Sequence, residues 1–366
     1  MTTATVDQWQ VEPPPGAPAG AITVAPPSLE AVAEVLDWAS TAGRRVLPWG
    51  GGTHMGPQVG KTSDLIVLTT GLSGIVDYQP EDLTLVVRAG SLVSDVAALL
   101  DGRNQSAVLA EDAVGSTVGG MIAAGVSGYR RHRYGPTRER MLEVQIATGD
   151  GRVVTAGARV VKNVTGYDIP RLVCGSLGSL GIIGQVCLKL WPMPSTAATV
   201  AVGDASSLAA LYRPLAFLET EAGVAAYIAG TPEEVAAQTA AIDGTATPGL
   251  QWPEPLAESS QLELRIPGPL VRSAVDQVRA ADATAFRAQH GVGIVAAGFA
   301  EWSTGRLEGL RAWAENNGGA VVVTAAPAGG VDRWGTPPES LALQRRVKEA
   351  FDPRGVMVPG RLPGGI

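Results

Sequence analysis

The chain has 366 residues, of which 45% are hydrophobic and 17% are charged, and its formal net charge is −7 at pH 7. This length predicts two domains, and this composition excludes a disordered chain. The negative charge excludes nucleic acid as the main partner, because neutralising phosphates requires a surplus of Lys and Arg.

Cysteine usage and hydropathy predict the compartment. Cys174 and Cys187 are the two cysteines, and no Cys or His spacing matches a metal site. We therefore predict no metal and two buried structural thiols. The sequence shows no basic start followed by an apolar run, and no stretch of about 20 apolar residues. These features predict a cytoplasmic protein without direct membrane insertion, which would reach the inner face of the membrane only through a partner subunit.

The predicted first domain, residues 1–195, mixes helices and strands. SLEAVAEVLDWASTAG predicts a helix that Ser28 caps and Gly43 ends. SLVSDVAALLDG predicts a second helix with Ser91 at its cap. MLEVQIATGDGRVVTAG predicts a hairpin that turns at residues 149–151. Further strands are predicted at residues 20–25, 44–49, 64–70, 74–79, 83–90 and 181–192.

The remaining chain predicts a small α+β cap domain, residues 196–330, and a C-terminal segment, residues 331–366. In the cap, strand-like runs such as LELRIP alternate with helix-like runs such as LVRSAVDQVRAA. The Gly- and Pro-rich stretch 243–256 predicts an exposed loop. The last helix is predicted to stop at Asp352-Pro353 and to return to the first domain.

The stretch PWGGGTHMGPQVGKTS at residues 48–63 resembles a phosphate cradle. A P-loop requires four residues between its glycines and must open a helix, but here three residues separate Gly56 from Gly60, and the strand-like DLIVLTT follows. GGGTHMG also lacks the GxGxxG spacing of a Rossmann turn. The remaining interpretations are a loop between strands whose main-chain amides approach an anion, and a merely tight turn.

Two later stretches favour the anion-binding interpretation. AEDAVGSTVGGMIAAGVSGYRRHRYG at residues 110–135 is dense in glycine, which disfavours a core helix and favours a cofactor lying against bare backbone. VVKNVTGYDIPRLVCGSLGSLGIIGQV at residues 160–186 holds a third run of small residues before a strand.

These three stretches, in this order, resemble the PCMH-type FAD-binding domain of the vanillyl-alcohol oxidase family. Within it, the resemblance is closest to the E subunits of bacterial glycolate oxidases, over residues 20–195 and the tail FDPRGVMVPGRL. The resemblance implies an α+β fold in which two subdomains bind FAD, followed by the cap. The implied cofactor-binding residues are Pro48, Trp49, Gly50, Gly51, Gly52, Thr53, His54, Glu111, Gly115, Ser116, Thr117, Gly119, Gly120, Ala124, Ser127, Gly128, Tyr134, Gly178, Gly181, Ile182 and Ile183.

The same resemblance bears on covalent attachment. Some relatives attach FAD through a histidine in the first loop, and matching the glycines puts Gly52 at that position. We therefore expect noncovalent FAD. His54 is interpreted either as a polar contact near the diphosphate or as a solvated loop residue.

Catalytic residues cannot be assigned from the sequence. Larger catalytic relatives use a histidine-rich metal site in the cap, whereas this chain has only His54, His132 and His290, widely separated. Val358 stands where relatives commonly carry an Asn that would face the active site. The basic cluster at residues 130–133 is either a solvated loop or a contact for cofactor, acidic substrate or partner subunit. Lys162, Tyr167 and Asp168 match the family pattern and are expected to have structural roles.

Two functions follow as expectations. In the first, the chain is the FAD-binding subunit of a glycolate-oxidase-like complex that oxidises a small 2-hydroxy acid. It would relay electrons from a catalytic flavoprotein subunit to an iron–sulfur subunit. In the second, it is a stand-alone FAD-dependent 2-hydroxy-acid (glycolate or D-lactate) or alcohol dehydrogenase. The lack of a histidine cluster favours the first.

Overall fold

A computed structural model of the chain describes residues 4–56, 63–110, 114–160, 166–327 and 331–366. Its α-helices, in chain order, are α1 (Ala4–Asp7), α2 (Leu29–Ala42), α3 (Val93–Asp101), α4 (Val118–Ala124), α5 (Arg131–Tyr134), α6 (Ile169–Val173), α7 (Pro232–Ala240), α8 (Val271–Ala280), α9 (Thr304–Asn316) and α10 (Leu341–Phe351). Among the described residues, no helix combines the length and the apolar character that crossing a bilayer requires.

The strands form four sheets in the described residues. In chain order they are β1 (Ile22–Val24), β2 (Val46–Trp49), β3 (Leu65–Leu68), β4 (Ile75–Gln79), β5 (Thr84–Arg88), β6 (Gln105–Ser106), β7 (Met141–Ala147), β8 (Val153–Gly157), β9 (Ile182–Lys189), β10 (Trp191–Pro192), β11 (Thr196–Val202), β12 (Ala216–Thr220), β13 (Gly223–Gly230), β14 (Gly244–Pro248), β15 (Ser260–Arg265), β16 (Ala285–Gln289), β17 (Ile294–Phe299) and β18 (Ala320–Ala325). They belong to two compact units. The first unit comprises Met1–Ser127, Pro136–Pro192 and Thr336–Ile366, and the second comprises Gly128–Gly135 and Met193–Gly335.

The first unit contains a parallel sheet and a larger antiparallel sheet. The parallel sheet has the order β1–β3–β2, and Val32 and Leu36 of α2 share its apolar core with Val67. The antiparallel sheet has the order β4–β5–β9–β7–β8, and Met121 and Ile122 of α4 pack into its core. Each helix buries one apolar stripe against a sheet, which is why both layers are stable.

Local chemistry sets the boundaries of α2 and the β7–β8 hairpin as predicted. Ser28 Oγ accepts a hydrogen bond from Ala31 N at 3.2 Å at the start of α2. Gly43 ends that helix with a left-handed φ of +62°. The predicted hairpin is also present, because β7 and β8 pair antiparallel across the Gly149-Asp150-Gly151 turn.

Three local predictions were wrong. Ser91 does not cap α3; its hydroxyl instead accepts from Gly74 N at 2.9 Å, and Leu92 occupies the cap without a side-chain bond. The glycine-dense second stretch does contain a helix, α4, which Thr117 caps. Gly119 lets α4 approach strand β5, since an added Cβ would lie 2.6 Å from Ala89 Cβ. Part of the predicted loop 243–256 is the exposed edge strand β14.

The C-terminal segment of the first unit pairs with β2. Val46 N donates to Val356 O at 2.8 Å, and Val358 N donates to Val46 O at 3.0 Å. This parallel bridge places residues 356–358 beside the strand that leads into the first glycine loop. As predicted, α10 ends before Pro353, with Asp352 as its C-cap.

The second unit is built on one antiparallel sheet of eight strands. Its order is β14–β11–β13–β12–β16–β17–β15–β18. Helices α8 and α9 pack on one face through Val275 and Leu310. Side chains along each strand point alternately to the two faces of the sheet. On the face opposite α8 and α9, Tyr227 stacks on Trp252 with ring centroids 4.3 Å apart.

Candidate cofactor site

Three segments of the first unit line one open cleft of about 620 Å³, its mouth included. The described lining carries no Asp or Glu. The lining residues are Pro48, Trp49, Gly50, Gly51, Gly52, Thr53, His54, Met55, Thr69, Ala89, Gly119, Gly120, Ala123, Ala124, Leu177, Gly178, Gly181, Ile182, Ile183 and Arg361.

The first segment is the glycine loop that leaves β2. A Cβ at Gly51 would collide with the carbonyl oxygen of Gly115, and one at Gly50 would collide with Thr117 Oγ1. Gly52 has a φ of +75°, a conformation that favours glycine. The protein's own second segment therefore requires bare backbone at positions 50 and 51. Clearance for the cofactor is not the sole reason for these glycines, which corrects the interpretation from sequence.

A hydrogen-bond network joins the first two segments. Thr53 Oγ1 and Ser116 Oγ lie 2.9 Å apart, and Ser116 Oγ lies 3.1 Å from His54 Nε2. Ser116 is 4% exposed, so this small network is anchored in the interior. It fixes the orientation of His54 in the wall of the cleft.

The second segment contributes residues from α4. Gly119, Gly120 and Ala124 line the cleft, whereas Thr117 caps the helix below them. Gly115 precedes this cap with a φ of +83°. Ser127 lies outside the lining, where its hydroxyl accepts from Thr137 N at 2.9 Å. Glu111 lies outside the described residues.

The third segment enters β9 through a strained turn. Leu177 adopts a φ of +54°, which is uncommon for a non-glycine residue, and its N–H donates to Ala123 O at 2.7 Å. Gly178 and Gly181 have φ of +77° and +139°, conformations that glycine adopts without strain and other residues rarely adopt. A Cβ at Gly178 would lie 3.0 Å from Pro48 Cγ of the first segment. Backbone strain of this kind concentrates at functional sites.

The lining includes six residues that are not among the cofactor-binding residues named from the sequence: Met55, Thr69, Ala89, Ala123, Leu177 and Arg361. Arg361 comes from the C-terminal segment, and its Nη2 donates to Met55 O at 2.6 Å. The tail motif FDPRGVMVPGRL was the signal that could have suggested it.

A buried lysine supports the third segment from the same tail. Lys348 Nζ donates to Ser179 O at 2.8 Å, to Met357 O at 2.7 Å and to Asp352 Oδ2 at 2.5 Å. Burial lowers the pKa of Lys348, and the neighbouring Asp352 opposes that shift. Because Ser179 lies between Gly178 and Gly181, this cluster holds the cleft-lining turn from behind.

Several predicted residues lie elsewhere. Gly128 and Tyr134 belong to the second unit, in which Tyr134 packs against a cluster that includes Leu218. Arg133 of the basic cluster donates to Ala229 O at 2.6 Å in the same unit. Val358 is buried in a cluster with Leu47 and is not among the residues that line the cleft.

The other family-matched positions show local roles where they are described. Tyr167 is 92% exposed. Asp168 caps α6 by accepting from Arg171 N at 3.1 Å. Lys162 lies outside the described residues. Cys187 is buried and Cys174 half-buried, and burial raises the pKa of each thiol to about 11.

Comparison with known proteins identifies the domain that carries the cleft. The family described as "FAD binding domain" matches residues 20–157. Residues 20–157 form a PCMH-type FAD-binding domain. The family match covers the first two glycine segments. The third glycine segment follows in the first unit of the chain.

Relatives extend the similarity beyond this FAD-binding domain. The chain is 28% identical to glycolate oxidase subunit GlcE of Escherichia coli over 304 residues, which is 79% of this chain and 84% of that protein. It is 36% identical to a D-2-hydroxyglutarate dehydrogenase of Xanthomonas citri pv. viticola over 46% of this chain, but spans only 36% of that protein. An alkyldihydroxyacetonephosphate synthase structure aligns with a TM-score of 0.67 at 13% identity, covering 92% of this chain and 75% of that one.

These findings confirm four predictions. The family, the α+β class with PCMH-type neighbours, the FAD cofactor and the place among FAD-dependent oxidoreductases are as expected. Which residues contact FAD stays a prediction, although the structure brings fourteen of the named residues to one cleft: Pro48, Trp49, Gly50, Gly51, Gly52, Thr53, His54, Gly119, Gly120, Ala124, Gly178, Gly181, Ile182 and Ile183.

Proposed function

We propose that this chain is the FAD-binding subunit of a glycolate-oxidase-like complex that oxidises a 2-hydroxy acid. It relays electrons from a catalytic flavoprotein subunit to an iron–sulfur subunit. The observation that carries this proposal is the single cleft formed by three glycine segments in an FAD-binding domain. Support for the subunit role comes from the similarity to glycolate oxidase subunit GlcE along most of both chains.

The cleft suits a long, dianionic, partly flat cofactor. Amides of residues 50–54 hold the diphosphate, because closely spaced main-chain N–H groups bind anions without a cluster of basic side chains. Residues of α4 and of the turn at 177–183 line the rest of the cofactor. Attachment is noncovalent, because Gly52 stands at the position of the attaching histidine and His54 is hydrogen bonded to Ser116.

The histidines favour electron relay over hydroxy-acid oxidation at this chain. FAD, when bound, supplies an electron acceptor, but removing a hydroxyl proton requires a base beside it. His132 Nδ1 lies 3.2 Å from Pro214 O, and His290 Nε2 lies 2.9 Å from Glu219 Oε2. With His54 bound to Ser116, each histidine has a separate local partner.

A second candidate is a stand-alone FAD-dependent 2-hydroxy-acid dehydrogenase. It is favoured by the 36% identity to a D-2-hydroxyglutarate dehydrogenase over 173 residues. The two candidates differ in whether the isolated chain takes electrons directly from the acid.

Anaerobic reduction separates these candidates. The isolated, FAD-loaded chain is mixed with glycolate or D-lactate, and flavin absorbance is followed against the chain purified with its native partners. We expect slow bleaching alone and fast bleaching in the complex, together with co-purification of a larger flavoprotein and an iron–sulfur protein. Fast bleaching of the isolated chain would establish the second candidate. A chain that neither contains nor binds FAD would exclude both.

A further inference from the structure

We propose that Arg361 is a cofactor-positioning residue, which places the C-terminal segment's positive charge at the wall that receives the diphosphate of FAD. This assignment rests on the proposed FAD site. It adds a side-chain cation to a cradle otherwise described by backbone amides.

The position of Arg361 links the tail to the first glycine loop. Its side chain lines the cleft, and its Nη2 donates to Met55 O at 2.6 Å, across 306 positions of sequence. Met55 directly follows the loop of residues 50–54. The guanidinium therefore fixes the exit of that loop while β2 fixes its entrance.

The route of the backbone shows that this placement is built into the fold. Residues 356–358 pair with Val46 of β2, and Val358 is buried although its φ is +35°. A β-branched residue in this region is strained and persists only where packing holds it. The turn continues through Gly360 at φ +83° and delivers Arg361 to the cleft. Lys348 and Asp352 anchor the start of the same segment under Ser179.

The charge of the cleft gives Arg361 its role. Among the described lining residues, it alone has a permanent formal charge. A guanidinium keeps its positive charge while it donates to Met55 O, so Arg361 can attract a phosphate group by charge as well as by hydrogen bonding. Hydrogen bonds between charged groups are about twice as strong as neutral ones, and Arg suits phosphate geometry.

Affinities of the apoprotein for FAD and riboflavin test this assignment. R361M removes the charge and keeps the apolar stem, whereas R361Q removes the charge but keeps a donor for Met55. Arg354, exposed on the same segment and bonded to Thr41, provides the control R354M. Flavin fluorescence gives the Kd values, and the melting temperature of each apoprotein reports folding.

We expect R361M and R361Q to raise the Kd for FAD about tenfold and to leave the Kd for riboflavin within about twofold, since riboflavin has no phosphate. FAD binding by the wild type should also weaken more steeply with salt than binding by either variant. Should R361M fail to fold, R361Q decides the question. Equal weakening for both flavins, or an unchanged Kd for FAD, would overturn the role of Arg361. A wild-type chain that binds no FAD would instead overturn the proposed function itself.

Discussion

Replacing Gly51 with Ala separates two physical explanations of the first glycine loop. The added Cβ would collide with the carbonyl oxygen of Gly115 and lie 2.9 Å from the carbonyl carbon. Ordinary contact begins at 3.4 Å, so relieving the carbon contact alone requires a movement of about 0.5 Å, and the oxygen, which lies closer, requires a larger one. Overpacking of this kind costs about 1–3 kcal/mol. The bonds of Ser116 to Thr53 and His54, at 2.9 and 3.1 Å, would stretch with it.

We expect G51A to lose about 1–3 kcal/mol of unfolding free energy and at least about tenfold in affinity for FAD. Urea denaturation of the apoprotein and flavin fluorescence measure these two quantities. G102A is the matched control, because a Cβ there meets only Leu99 O at 3.5 Å. Wild-type stability combined with lost FAD binding would refute loop separation and restore direct collision with the cofactor as the cause. If G51A keeps both the stability and the FAD affinity of the wild type, both explanations are refuted.

Two further predictions concern ion pairs of the first unit. Lys348→Met leaves Asp352 buried without its cation and should destabilise the protein by about 3–5 kcal/mol in urea denaturation, whereas adding Asp352→Asn should recover part of that loss; a cost below about 1 kcal/mol would contradict the importance of the pair. Arg45 lowers the pKa of Asp64 to about 2 by hydrogen bonding at 3.0 Å. This pair stabilises the fold above the unfolded carboxyl pKa, near 3.9, and that contribution is lost as the pH falls towards 2. Asp64→Asn should therefore cost about 0.5–1 kcal/mol at pH 7, and the difference from wild type should shrink below pH 4; a constant difference across that range would contradict the mechanism.

Wherever neighbours in sequence decide the structure, the sequence predicted it well. Ser28 and Gly43 bound α2 because a hydroxyl can satisfy the first free N–H groups and glycine tolerates the left-handed end. The hairpin at 149–151 follows from the same kind of local turn chemistry. Ser91 shows the limit of such local rules. Its hydroxyl was predicted to cap α3, but it accepts instead from the N–H of Gly74, which is distant in sequence.

The order of three glycine-rich segments was enough to indicate FAD, because that order resembles the PCMH-type family. Only the tertiary structure decided which atoms a side chain at each glycine would clash with: Gly51 faces Gly115 O, and Gly119 faces Ala89. The same holds for the tail, where Lys348 reaches Ser179 across 169 positions and Arg361 reaches Met55 across 306. Such contacts depend on how sheets and segments pack, and no local pattern encodes a partner so far away in the chain.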